Sequence, residues 1–94
     1  MMLIWKDGKG PAEQAPFDLD WSLRLAGEAI ISSSWTVTAG DGALIIVSQK
    51  FSAGMAQVML SGGTLGVIYE LQNIVATATC PELTEKVQLP IRNR

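Results

Sequence analysis

From Phe17 to Leu25 apolar and polar residues alternate without a break: Phe17, Leu19, Trp21, Leu23 and Leu25 against Asp18, Asp20, Ser22 and Arg24. A period of two is the signature of a strand with one face buried, and it excludes a long amphipathic helix here. Similar stretches follow. Ala29–Thr38 sets Ala29, Ile31, Trp35 and Val37 against Ser32, Ser34, Thr36 and Thr38, with the β-branched and aromatic content that suits a pleated surface. Ala43–Gln49 contains the run Leu44-Ile45-Ile46-Val47, which predicts a strand buried on both sides. Met55–Ser61, Leu65–Thr79 with a break near Asn73, and Glu85–Ile91 complete the series. Gly40-Asp41-Gly42, Ser52-Ala53-Gly54 and Gly62-Gly63 punctuate it at roughly ten-residue intervals. The best helical signal is at Leu23–Ala26, where Gly27 could cap one short turn.

Ninety-four residues suffice for one domain. The reading is therefore all-β: a single antiparallel β-sandwich of six to seven strands over residues 17–94. Residues 1–16 contain Gly8, Gly10, Pro11 and Pro16 and read as an extended N-terminal arm. Trp21, Trp35 and Tyr69 all fall on the apolar phase of their strands and are expected in the core. Met1, Met2, Leu3, Ile4 and Trp5 form a continuous apolar pentad that the sandwich pattern does not need, and are expected to dock on a partner. An arm folded back on its own sheet is the alternative.

Composition narrows the chemistry. The chain has no histidine, so it lacks an imidazole relay, an imidazole metal site and a histidine pH switch. Its single cysteine, Cys80, cannot close an internal disulfide or pair with a second thiolate on zinc. Seven Lys and Arg against nine Asp and Glu give a net charge of −2, without the basic stripe that binds a phosphate backbone; nucleic acid is not expected as a partner. No run approaches the ~18 apolar residues of a membrane helix, and Met1–Trp5 is too short for a secretory signal, so no membrane association is expected.

Motifs for catalysis are weak. Asp18 and Asp20 lie about 7 Å apart on one strand face, a spacing open to calcium or to a glycosidase pair but more usual for a solvated face. Gly8-Lys9-Gly10 lacks the spacing of a phosphate loop, and Ser61-Gly62-Gly63-Thr64 joins two strands where an anion cradle would open a helix. No catalytic residue, metal or cofactor is expected. Trp5 with the Asp18/Asp20 face offers a carbohydrate-stacking alternative.

Taken in order, Trp5-Lys6-Asp7, Phe17-Asp18-Leu19-Asp20-Trp21, Leu25, Ile30 or Ile31, Ser34-Trp35-Thr36-Val37, Leu60-Ser61-Gly62-Gly63-Thr64, Gly66, Tyr69, Asn73 and Ile74 resemble the fiber-tail adaptors of tailed bacteriophages. The similarity covers nearly the whole chain. Two stretches depart from the family pattern: Asp7-Gly8, where Asp-Pro is usual, and Thr79-Cys80-Pro81-Glu82-Leu83, where a short glycine turn is usual. The resemblance implies an immunoglobulin-like sandwich without an active site. It implies a virion structural protein present in many copies, linking tail or connector components by contact with other virion proteins and with copies of itself. Such a protein resides in the host cytoplasm until assembly. A carbohydrate-binding or capsid-decoration module is the alternative function.

Overall fold

A computed structural model describes residues 3–6, 8–25 and 27–92. Among them are β1 (Leu3–Ile4), β2 (Gln14–Asp20), α1 (Ser22–Leu25), β3 (Ser32–Ala39), β4 (Leu44–Phe51), β5 (Met55–Gly62), β6 (Ile68–Ala76) and β7 (Leu83–Pro90). The strands form two sheets, one ordered β1-β7-β6-β3 and the other β2-β5-β4, and the molecule measures 40 × 25 × 20 Å.

Alternation decides which side chains meet between the sheets. Ala56, Val58 and Leu60 of β5, Tyr69, Leu71 and Val75 of β6, and Val87 and Leu89 of β7 are fully buried. Each large aliphatic among them stabilises the fold by about 1.5–3 kcal/mol relative to exposure. These central strands have neighbours on both sides, so their cross-strand pairs fix the register: Leu71 lies opposite both Val37 and Val87, and Val58 lies opposite both Phe17 and Gln49. Trp21 and Trp35 are buried in the same core.

One polar group crosses that core. Asn73 is fully buried in the middle of β6; its Oδ1 accepts from Trp21 Nε1 at 2.8 Å and its Nδ2 donates to Ser34 O at 2.9 Å and Ser33 Oγ at 3.0 Å. A slip of β3 against β6 would leave the Nδ2 end of the amide unpaired, and a shift of β6 against Trp21 would leave the Oδ1 end and the indole unpaired, so the network specifies the pairing as well as stabilising it.

Several sequence expectations are corrected. Not every strand pair is antiparallel: β1 runs parallel to β7, pairing Leu3 with Val87 and Ile4 with Gln88. The second strand starts at Gln14, so it takes in the last three residues assigned to the arm. It also ends at Asp20, whose carboxylate accepts from Ser22 N and Ser22 Oγ and turns the chain into α1. The helical turn breaks period two, leaving Leu23 exposed and Leu25 buried. Before β3 the chain is irregular, and Ile30 is buried while Ile31 is exposed. The run Leu44–Val47 is not buried on both sides, because β4 is an edge strand covered on one face only; a bulge between Ile46 and Ser48 takes Val47 out of the ladder. Ile45 and Val47 are exposed in consequence. No break occurs at Asn73, since β6 continues through it.

Two predictions follow from this core. Trp35→Ala should lower stability by about 3–5 kcal/mol in urea denaturation, and an unchanged midpoint would refute the packing. Asn73→Leu should cost about 1–3 kcal/mol through the unpaired Trp21 indole and Ser34 carbonyl; equal or greater stability would show that the network does not hold the register.

Candidate interaction site

The N-terminal segment joins the two sheets. After β1, Trp5 N donates to Gln88 O at 3.0 Å, which continues the pairing along β7. The Trp5 side chain then reaches the other sheet: its Nε1 donates to Asp18 O of β2 at 3.1 Å, and its ring packs on Phe17 at 4.8 Å and on Trp35 at 5.8 Å. Such tilted aromatic pairs add about 0.5–1.5 kcal/mol each beyond area burial. Because its faces meet these rings and its N–H is engaged, Trp5 is poorly placed as an open sugar-stacking platform.

Lys9 is the second anchor and has no exposed surface. Its Nζ donates to Gly10 O at 2.7 Å and to Gly62 O at 2.5 Å, while its backbone N–H donates to Pro90 O at 3.2 Å and its carbonyl accepts from Arg92 N at 2.9 Å. Burial lowers its pKa below the ordinary lysine value, opposed in part by the charge of Glu13. Sequence reasoning considered Lys9 only as part of a phosphate loop. Its real partners are two carbonyls that become adjacent only when the turn after β5 meets the arm.

That turn is also a junction. Gly62 has φ of +78°, and a Cβ there would lie 2.6 Å from Ala43 O, so only glycine fits without a shift. Gly63 N donates to the same carbonyl at 3.1 Å. Thr64 N donates to Tyr69 Oη at 2.9 Å, Tyr69 Oη donates to Asp41 Oδ1, and Thr64 Oγ1 donates to Asp41 Oδ2 at 2.5 Å. Tyr69 is thus a buried ring whose hydroxyl ties loop 40–43 to loop 62–66. Gly40 lets the loop approach, because a Cβ there would stand 2.3 Å from the Tyr69 ring. Hydrogen bonds from Thr64, Tyr69 and Ala43 hold the Asp41 carboxyl at about 2.

The arm as the sequence outlines it divides into a buried and an exposed part. Leu3 and Ile4 are 42% and 51% exposed, Trp5 is half-buried, and Met1 and Met2 lie outside the described residues. Leu3–Trp5 packs on the sandwich of its own chain, the geometry of the folded-back alternative. The reason is that β7 presents an unpaired edge beside which a short strand can lie. Asp18 and Asp20 stand on the outer face of β2, opposite Gln57 and Met55, and the Asp20 carboxylate is occupied by Ser22, which lowers its pKa. Among the described residues no group of three or more His, Cys, Asp or Glu is placed to hold a metal ion. The depression lined by Lys50, Phe51, Ser52, Met55 and Gln57 has about 180 Å³, less than the roughly 300 Å³ of the smallest ordinary ligand pockets.

The exposed surface carries apolar residues on edge and central strands alike. Ile45, Val47 and Phe51 on β4, Met55 at the start of β5, and Leu65 and Ile68 before and on β6 are all exposed, in addition to Leu3 and Ile4.

A family model described as the podophage GP4 fiber-tail adaptor protein gp77 matches residues 9–90, from the buried Lys9 to the end of β7. No curated protein and no solved structure matches the chain.

A pH prediction follows from Asp41. Its folded pKa of about 2 lies below the ordinary 3.8, so the ionised form stabilises the fold fully above the unfolded value, and that contribution is lost as pH falls from about 4 to about 2. Acid titration of the melting temperature should show this decline in the native protein and a shallower one in Asp41→Asn. Identical acid limbs would contradict the network.

Proposed function

The chain belongs to the podophage GP4 fiber-tail adaptor family, and from that membership we propose that it works in many copies, joining tail or connector components of the virion through protein contacts alone. The family is a structural one, and its name, a phage fiber-tail adaptor, supports a location in the virion and contact with other virion proteins. The match across residues 9–90 carries this reading, because it spans both sheets and the junction that holds them.

Three features support it. The polar groups that chemistry would recruit are taken up by structure: Asp41 by Tyr69 and Thr64, Asn73 by Trp21, and Lys9 by two carbonyls. Among the described residues no helix is long and apolar enough to cross a membrane. Exposed apolar residues line the edge strands β1 and β4, where neighbouring proteins can add contacts. The partners proposed are other virion proteins and copies of the same chain, without nucleic acid or lipid. The protein is proposed to wait in the host cytoplasm until assembly. Within the N-terminal pentad, Leu3 and Ile4 are proposed as the contact residues, since Trp5 is committed to the core.

The test is made in phage. Ile4→Lys should leave the melting temperature of the isolated protein nearly unchanged, because the side chain is half exposed, yet should reduce its recovery in purified particles several-fold. Wild-type protein should co-purify with particles in a fixed ratio. Normal incorporation of Ile4→Lys would remove β1 from the contact surface, and absence of the wild-type protein from particles would overturn the adaptor reading.

A further inference from the structure

We propose that the seat on β7 is an acceptor for the N-terminal segment of a second copy, so that neighbouring copies join by exchanging residues 3–9; this rests on the many-copy reading above. The donor segment is defined by the seat. Leu3 and Ile4 pair with Val87 and Gln88, Trp5 fills the gap between Phe17 and Trp35, and Lys9 reaches Gly62 O. Every one of these contacts is available unchanged when the segment comes from another chain, which is the condition for exchange.

Geometry provides the hinge. Leu3, Ile4, Trp5 and Lys9 pair along β7 and residues 14–20 along β5, and Gly10-Pro11-Ala12-Glu13 connects Lys9 to β2. This turn is closed locally, by Glu13 N donating to Gly10 O at 3.2 Å and Gly10 N donating to Glu13 Oε1 at 2.5 Å. Pro11 biases Gly10 towards extended backbone, the form an opened hinge needs. From Gln14 back to Leu3, eleven residue steps span roughly 36 Å when extended, comparable with the 40 Å long axis of the molecule. The segment can therefore reach an adjacent sandwich.

Docking within one chain leaves part of the segment poorly served. β1 is two residues long and parallel, and its side chains remain 42% and 51% exposed. When the segment comes from another copy, the donor's own sandwich is brought beside the seat, where it can cover Leu3 and Ile4. A short linker holds its own segment at an effective concentration of about a millimolar, so exchange is expected when copies are crowded to that level and not in dilute solution.

Cysteines at the paired positions separate the two arrangements. In a Cys80→Ser background, Ile4→Cys and Gln88→Cys are placed either in one chain or in two separate chains, oxidised, and resolved on non-reducing gels. The double variant at micromolar concentration should close an internal bridge, which reports that the seat is formed. Mixed single variants at about millimolar concentration should yield the Ile4→Cys/Gln88→Cys heterodimer well above the homodimers each variant forms alone. Deleting Pro11 and Ala12 removes the slack needed for docking within one chain and should convert the protein from monomer to dimer or higher species at micromolar concentration, read by light scattering. Heterodimer no greater than the homodimer background, or a shortened-hinge protein that stays monomeric, would overturn exchange. Particles that contain the double variant bridged only internally would also overturn it while leaving the adaptor function standing. Absence of the protein from particles would instead strike at the adaptor function itself.

Discussion

Placing the Lys9 ammonium among backbone carbonyls is the constraint around which the N-terminal half of the molecule is arranged. A buried ammonium without partners is costly by several kcal/mol, so Gly10 O and Gly62 O must both be in place when the segment docks. Gly62 O is positioned by the turn after β5, and that turn by Ala43 O and by Tyr69. The segment therefore cannot seat correctly until β5, β6 and the loop before β4 have assembled. Trp5 extends the same logic to the opposite edge, where one indole ties the β7 sheet to the carbonyl of Asp18.

Polar interactions here specify more than they stabilise. Hydrophobic burial along β5, β6 and β7 supplies the driving force, but alternation alone would accept a register shifted by two residues. Asn73 rejects the shift on one side of the core by binding Trp21 and Ser34, and the Asp41–Tyr69–Thr64 cluster rejects it at the other end by joining two loops. Trp35 Nε1 is buried with no hydrogen-bond partner, the one such side-chain atom among the described residues. Burial of the whole Trp35 ring in the core, with the aromatic contact to Trp5 added to it, offsets a cost of about 1–3 kcal/mol there.

Most of the architecture was legible in the sequence because a strand with one buried face writes its period into the chain. The all-β class, the turns at Gly40–Gly42, Ser52–Gly54 and Gly62–Gly63, and four of the strand positions could be read from residue type alone. What failed did so where tertiary placement overrides local pattern. Leu44–Val47 looks like a doubly buried strand, yet nothing in its composition reveals that it ends up at an edge with a bulge. Leu23 keeps the alternation going in sequence, yet Asp20 caps a helical turn that throws it into solvent. The roles of Lys9, Asp41 and Asn73 were not visible, since each depends on partners 23 to 53 residues away. A lysine in a glycine-rich stretch gives no sign that it will be buried. The family pattern, by contrast, was legible, because it runs through residues such as Asp20, Trp21, Gly62, Tyr69 and Asn73 that these long-range contacts require.

The N-terminal segment is a structural part of the sandwich, whichever copy supplies it. Hydrogen exchange of individual backbone amides measures this most directly. Trp5 N and Lys9 N, bonded to Gln88 O and Pro90 O, should exchange as slowly as the amides of β7 itself, with protection reaching towards the global unfolding free energy. Exchange of both amides at the rate of an unstructured chain, alongside full protection of β5 and β6, would contradict it.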